Sequence, residues 1–482
     1  MLFDLTPAMT EVVLFIGALA LLLLGAFRER DAAQILPGLA ALVMLVGALV
    51  AVAHGKERTL AFGGHYILDG YAVFLKVLIL AGAAAALLMA SAYMRDERID
   101  RYEYALLALF SALGMCMMVS ANSFLALYMG LELQSLPLYV LAAFHRDNLR
   151  STEAGLKYFV LGALASGMLL YGCSLVYGFT GTIEFDRLAT LWQAGTGAPL
   201  PLGALVGLVF IVAGLAFKMS AVPFHMWTPD VYEGSPSPVT AFMAGAPKVA
   251  AVGLAIRVLM GPFGTWVGQW QQIVIVVAIA SMALGAFAAI GQTNIKRLMA
   301  YSGIANIGFA LVGVAAGTAG GINGALVYMA IYMVMTLGTF ACILLMRRQG
   351  RYVETIADLA GLSRHRPLLA LALAVLMFSL AGIPPLAGFI GKLYVFKAAI
   401  DAGLLWFAVV GLLLSVVGAY YYLRIVKLMY FDEPAEAFDP SPSLPVSAVA
   451  GLAAALLLFF MLPFVASPLL TTAAAAAAAL AK

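Results

Sequence analysis

The stretch GLAFKMSAVPFHMWTPDVYEGSPSPVTAFMAGAPKVAAVGL, from Gly214 to Leu254, decides the fold class. Its apolar blocks suit lipid, yet they hold two lysines, Lys218 and Lys248, and the segment between is rich in proline. A helix needs roughly 20 apolar residues to cross a bilayer. Proline removes a backbone donor, and such a break survives in a membrane only where protein or water satisfies the freed carbonyls. The stretch therefore reads as two membrane helices, the first interrupted near Pro223, that house something polar.

The rest of the chain agrees. Of 482 residues 64% are hydrophobic and 11% charged, and a mean hydropathy of +1.01 lies outside the range of soluble domains. The apolar runs are continuous, whereas barrel strands would be short and alternating. The expected fold is thus an all-α polytopic membrane protein, a single integral membrane domain over 1–482. Spans are expected near 9–27, 33–53, 70–94, 104–121, 123–144, 153–180, 202–223, 238–260, 270–292, 299–318, 321–346, 367–399, 403–423 and 445–468, about fourteen in all. No basic cluster precedes the first span and Leu21–Ala26 offers no cleavage site, so it reads as a retained helix.

Basic residues orient the spans. One set of connections holds about sixteen of them, from Arg28, Arg30, Arg95, Arg98 and Arg101 through Arg347–Arg351 to Arg424 and Lys427; the other holds Lys56, Arg58, Arg187 and Lys482. The first set is expected in the cytoplasm and both termini outside. The net charge of +3 is then a topology signal, and no basic patch with interleaved aromatics points to nucleic acid.

Seven basic residues fall inside spans: Lys76, Lys157, Lys218, Lys248, Arg257, Lys392 and Lys397. Each charge at a helix centre opposes insertion by about 2.5–3.5 kcal/mol. Lys76, Arg257 and Lys397 sit where a long side chain can snorkel to the headgroups; Lys218 and Lys392 do not. Among 24 acids Glu132, in LYMGLELQSLPLYVL, is the one near the middle of a span, and it needs a cationic partner or a proton. Lys157 opens the next span, with Glu153 one turn away.

Pro223 follows Lys218 by five residues, and Pro384–Pro385 precedes Lys392 by seven. A broken helix beside an ionisable residue points to a hydrated site in mid-membrane. The order of lysine and proline is reversed between the seventh and twelfth spans, which suggests two inverted five-helix repeats, 104–260 (spans four to eight) and 270–423 (spans nine to thirteen), each containing a broken helix. His225, in PFHMWTPD, is either a proton relay or a structural turn residue.

Cys116, Cys173 and Cys342 stand singly and read as small core residues, without the spacing of a disulfide framework, an iron–sulfur cluster or a zinc site. The five histidines fall at span ends or loops, so no metal or haem site and no electron carrier is expected. Neither a dinucleotide fingerprint nor a P-loop is present. GVAAGTAGGINGA reads as a tight helix connection, and the tail TTAAAAAAAALAK as the end of the last helix.

FKMSAVPFHMWTPDVYEGSPSPVTAFMAGAPKVAA, GLELQSLPLYVLAAF, QTNIKRLMAYSGIANIGF and GIPPLAGFIGKLYVFKAA resemble the antiporter-like membrane subunits of respiratory complex I over nearly the whole chain. Lysine at 392 and the stop after the fourteenth span resemble the shorter members, without the long lateral helix of the largest. The resemblance implies a bacterial inner-membrane, proton-translocating subunit without redox centres, surrounded by other membrane subunits and lipid. FMN, iron–sulfur clusters and quinone would belong to partner subunits. It also implies that Glu132 and Lys157 form a coupling ion pair, with Lys218 and Lys392 on the two broken helices and Lys248 the central relay. One charge pair at 4 Å and an effective dielectric near 20 is worth about 4 kcal/mol, or about three orders of magnitude in proton affinity. The multisubunit cation/proton antiporters are similar in the same central spans. An intramembrane enzyme using His225 or Glu132 as base would need a nucleophile or metal constellation that the sequence lacks.

Overall fold

The computed structural model describes residues 5–55, 57–194, 201–440 and 443–480. Lys56 and Lys482, and the side chain of Arg30, lie outside them. Helices α1 (Met9–Phe27), α2 (Glu29–His54), α3 (Gly70–Asp96), α4 (Glu103–Val119), α5 (Phe124–Ala142) and α6 (Leu149–Thr180) pass back and forth between two faces. A surface helix, α7 (Phe185–Ala194), precedes the first interrupted element, α8 (Leu202–Met219) and α9 (Thr228–Gly234). Then come α10 (Ser237–Ala244), α11 (Ala246–Met260), α12 (Val267–Ile290), α13 (Ile295–Ala315) and α14 (Ala319–Leu344). After the single turn α15 (Leu362–His365), a second interrupted element comprises α16 (Pro367–Ala381) and α17 (Ala387–Asp401); α18 (Leu405–Phe431), α19 (Leu444–Leu458) and α20 (Pro463–Leu480) complete the chain.

Polar caps mark where the chain turns back into the bundle. Asp69, Ser123, Asn148, Asn294 and Thr318 each accept a backbone N–H at the start of α3, α5, α6, α13 and α14, satisfying donors that a helix start leaves orphaned. The Thr318 cap closes the tight α13–α14 connection expected from GVAAGTAGGINGA. The connections at 55–69, 181–184, 261–266 and 316–318 share one face, where Arg58 meets Asp186 at 2.7 Å. Those at 97–102, 143–148, 291–294 and 346–361 share the other, where Arg347 meets Asp96 at 2.8 Å.

Twelve helical segments among the described residues are long and apolar enough to cross a membrane. The fourteen expected differ from these through shortening and breakage. Helix α4 has 17 residues, the 367–399 segment is cut at Gly382, and the last crossing is cut between Leu458 and Pro463. The alanine tail is therefore a helix of its own, whose Ala473, Ala476 and Ala477 are buried where α20 packs on α3 and α14. Pro463 cannot continue α19, and the small alanine stripe permits close approach. Helices α10, α11, α13 and α14 form the enclosed centre, while Leu125, Leu136, Leu164, Leu412 and Val416 on α5, α6 and α18 face outward.

Candidate functional site

Both expected interruptions are present. Helix α8 ends on Ser220, which adopts a left-handed conformation at φ 64°, and the Ala221 amide donates back to Ala216 O at 2.8 Å. The Trp227 indole N–H donates to the Phe217 carbonyl at 3.1 Å, which also accepts from the Ser220 amide at 3.0 Å. Pro223 and His225 lie in the turn that follows; the His225 Nδ1 is buried and has no hydrogen-bond partner among the described residues. Helix α16 ends on Gly382 at φ 87°, and the turn through Pro384 and Pro385 leads into α17. The two elements enter from opposite faces: Leu202 follows the face of Thr180, whose neighbour Phe179 packs at Gly203, and Pro367 the face of Arg348 and Asp358.

Lys392 reaches from α17 back to the end of α16. Its Nζ donates to Leu380 O at 3.1 Å, Ala381 O at 2.9 Å and the Ser415 hydroxyl at 2.8 Å, and it stands 4.7 Å from the centre of the Phe309 ring. The last carbonyls of a helix lack intrahelical partners and carry the negative end of its dipole. The break thus supplies the negative field that holds an ammonium without a carboxylate. Gly382 is required twice, for its positive φ and because a Cβ there would lie 2.9 Å from Lys392 Cδ.

Lys218, in the last turn of α8, donates to the Ser135 hydroxyl at 2.6 Å and the Tyr139 hydroxyl at 3.3 Å. Glu132, Ser135 and Tyr139 are spaced i, i+3 and i+7 on α5 and so share one face. Glu132 itself accepts from the Ser166 hydroxyl of α6. Glu132 therefore shares a helix face with the hydroxyls that hold Lys218, but its own hydrogen-bond partner is Ser166.

Lys157 is elsewhere. Its Nζ lies 2.7 Å from Glu153 and 2.8 Å from Asp230, and Asp230 in turn lies 2.7 Å from Arg297, which also meets Glu233 at 3.0 Å. The expected Glu132–Lys157 pair is not formed: the next-helix argument placed Lys157 near Glu132, but it sits at the charged face, where the carboxylates of α6 and α9 are nearer. Lys157, Glu153, Asp230 and Glu233 line a cavity of about 210 Å³. Burial pushes the Asp230 carboxyl up, and the Lys157 ammonium and Arg297 guanidinium more than offset this, holding it below the usual carboxylate range.

Lys248, in the first turn of α11, is fully enclosed and its Nζ makes no hydrogen bond among the described residues. It stands 5.5 Å from the Tyr232 ring centre and occupies space left by Gly303, where a Cβ would fall 2.6 Å from Nζ.

Two lysine-type residues expected to snorkel do not. Lys76 is completely buried, 2.9 Å from Glu11 and donating to the Tyr66 hydroxyl at 2.7 Å. Arg257 is 3% exposed and grips Asp69 through both guanidinium nitrogens, at 2.8 and 3.0 Å. Their acids stand far away in sequence, in a first helical turn and a loop, and no local pattern announces the pairing. Lys397 is 72% exposed and pairs with Asp401 at i, i+4, as a residue near a helix end should. A buried polar cluster of Ser302, Asn306, Tyr328 and Tyr422 also lies in the interior. Its available signals were the i, i+4 spacings of Ser302 with Asn306 and of Tyr328 with Tyr332. Among the described residues no group of three or more His, Cys, Asp or Glu side chains is set to hold a metal ion.

A family described as "NADH:quinone oxidoreductase/Mrp antiporter, TM" matches residues 121–418. NADH-quinone oxidoreductase subunit N of Parvibaculum lavamentivorans is 60% identical over 450 residues, 93% of this chain and 92% of that protein. The protein of the same name from Rhodospirillum rubrum is 59% identical over 436 residues, 90% of this chain and 89% of that one. A chain of respiratory complex I from Thermus thermophilus, solved with bound aureothin, superposes with a TM-score of 0.82 at 34% identity, covering 97% of this chain and 99% of that one. A fold of broken helices with lysines at the breaks, matched in sequence over nine-tenths of its length, places the chain: it belongs to the NADH:quinone oxidoreductase/Mrp antiporter transmembrane family, among the subunit N proteins.

Proposed function

We propose that this chain is a proton-conducting subunit of the membrane arm of a bacterial NADH-quinone oxidoreductase and carries no redox chemistry itself. The observation that carries the reading is the placement of Lys218, Lys248 and Lys392 in the enclosed interior, two of them at helix interruptions. Such positions are costly in a membrane and mark ion or proton pathways. The relatives supply the name of the assembly; NADH oxidation and quinone reduction, with FMN and iron–sulfur clusters, belong to its other subunits.

Lys218 and Lys392 are the stations at the two breaks, and Lys248 the station between. Glu132 lies on the same face of α5 as Ser135 and Tyr139, the partners of Lys218, so its charge alters how readily the lysine keeps its proton. Lys157 with Asp230 is the charged mouth of the path, and His225, with a free buried nitrogen beside the first break, a secondary relay. Half-buried Glu132 lies between Met129 and Leu136, which are 56% and 53% exposed. A carboxylate cannot rest cheaply against lipid, so a neighbouring membrane subunit covers this face. The opposite entry of α8 and α16 supports inverted repeats over 104–260 and 270–423. The bias in basic residues supports a cytoplasmic 346–361 connection and both termini on the periplasmic side.

Purification of the native complex tests the assignment. The chain should travel with flavin- and iron–sulfur-bearing peripheral subunits. Recovery with cation/proton antiporter subunits alone would replace the reading.

A further inference from the structure

We propose that the hydroxyls of Ser302, Tyr422 and Tyr421, held in place by Asn306 and Tyr328, form the proton-carrying bridge between Lys248 and Lys392. The inference rests on the proton-conduction reading above and names the groups between two of its lysines. The Ser302 and Tyr422 hydroxyls are 2.5 Å apart. Asn306 donates to Ser302 O at 2.7 Å and to the Tyr422 oxygen at 3.3 Å, and accepts from the Tyr328 hydroxyl at 2.6 Å. Ser302 and Asn306 come from α13, Tyr328 from α14, and Tyr421 and Tyr422 from α18, so three separate helices contribute polar groups to one point. All five side chains are buried. Enclosing this many polar groups is unfavourable unless each is hydrogen-bonded, and aliphatic residues would pack the same helices without that requirement.

One further hydroxyl stands between each end of the cluster and a lysine: Tyr332, close enough to Tyr422 to act on it electrostatically, toward Lys248, and Ser415 toward Lys392. Gly303 adjoins Ser302, and a Cβ on Gly303 would stand 2.6 Å from Lys248 Nζ and 3.1 Å from the Tyr332 hydroxyl. These distances put the Lys248 ammonium within about 6 Å of the Tyr332 hydroxyl, a gap that one water bridges. At the other end, the Tyr421 hydroxyl neighbours Ser302 and Tyr422 and folds back over Gly418, 3.8 Å from where a side chain there would begin. Ser415, whose hydroxyl accepts from Lys392, is one helical turn from Gly418, about 5 Å along the axis.

The chemistry balances without any co-reactant. A hydroxyl accepts a proton on a lone pair as its own O–H bond breaks toward the next acceptor; the Lys248 ammonium becomes an amine and the Lys392 amine an ammonium. Asn306 passes no proton. It is a positioning residue that fixes which lone pair of Tyr422 faces Ser302.

The test uses the assembled complex in inverted membrane vesicles. Ser302→Ala and Tyr422→Phe each remove one oxygen, Ser302→Thr retains it, and Lys392→Met serves as the reference for the underlying reading. The two hydroxyl-deleting variants should assemble to wild-type levels and lose NADH-driven proton uptake by about tenfold or more, because a positioned transfer group contributes about 10²–10⁴ to the step it serves. Ser302→Thr should pump. If Tyr422→Phe fails to assemble, Ser302→Ala against Ser302→Thr gives the same comparison with a smaller change. Normal pumping by both hydroxyl-deleting variants, with Lys392→Met defective, overturns the bridge alone; normal pumping by Lys392→Met overturns the conduction reading and the bridge with it. Uptake that falls only in proportion to the amount of assembled complex makes the cluster structural and likewise refutes the bridge.

Discussion

Replacing Lys76 by methionine should destabilise the protein severely, and removing Glu11 as well should restore it. Lys76 has no exposed side-chain surface, and Glu11, buried beside Tyr66, lies 2.9 Å from its Nζ. The contact joins α1 to α3 as an ion pair, with the Tyr66 hydroxyl as the ammonium's aligned acceptor. Methionine keeps the stem and deletes the charge, stranding a carboxylate in an enclosed site. Breaking a buried pair from one side costs about 3–5 kcal/mol, whereas replacing both partners by apolar residues of similar volume is often neutral or stabilising. The single variant should therefore lower the folded-to-unfolded ratio by about two to three and a half orders of magnitude. Lys76→Met with Glu11→Leu should return to within about 1 kcal/mol of wild type. The assay is the amount of assembled complex in membranes together with its half-life at elevated temperature. A wild-type lifetime for Lys76→Met, or a double variant less stable than the single, would refute the reasoning.

Gly382→Ala forces a left-handed conformation that costs an L-residue about 1–2 kcal/mol and sets a methyl against the Lys392 stem; complex should still assemble, with proton uptake reduced more than stability, and equal losses of both would count against Gly382 making room for Lys392. At the charged face, the Gly350 and Gln349 amides hold the Asp439 carboxyl below the usual carboxylate range. A carboxyl whose folded value is depressed contributes stability above the unfolded value, about 3.9, and loses it as pH falls through the folded one. Hydrogen exchange across residues 347–352, corrected for intrinsic rates, should accordingly stay constant from pH 8 to 5 and rise only in stronger acid; a rise between pH 8 and 6 would show that another group holds the turn.

Elements governed by local chemistry were legible in the sequence, and those governed by remote partners were not. Continuous apolar runs announced the helices, and Pro223 and Pro384–Pro385 announced both interruptions, because proline acts on its own backbone. Lys218 and Lys392 stood out since a lysine beside such a break has few inexpensive explanations. Lys76 and Arg257 read as snorkelling because the acids that neutralise them lie 65 and 188 residues away, a relation that only packing creates. The family resemblance implied a pair between Lys157 and Glu132, but Lys157 reaches Glu153 on its own helix and Asp230, 73 residues on. Ser302, Asn306 and Tyr422 carry no charge, so neither composition nor hydropathy marks them among ordinary helical residues.

The central claim is that the interior lysines carry protons, and NADH-driven proton uptake by Lys218→Met in membrane vesicles, normalised to assembled complex, tests it most directly. Methionine retains the apolar stem, and the Ser135 hydroxyl keeps its bond to Leu131 O at 2.5 Å, so the fold loses little. Lys397→Met, which removes an exposed lysine paired only with Asp401, is the control. Lys218→Met should assemble normally and lose proton uptake, while Lys397→Met should match wild type. Proton uptake at the wild-type rate in an assembled Lys218→Met complex would contradict the claim.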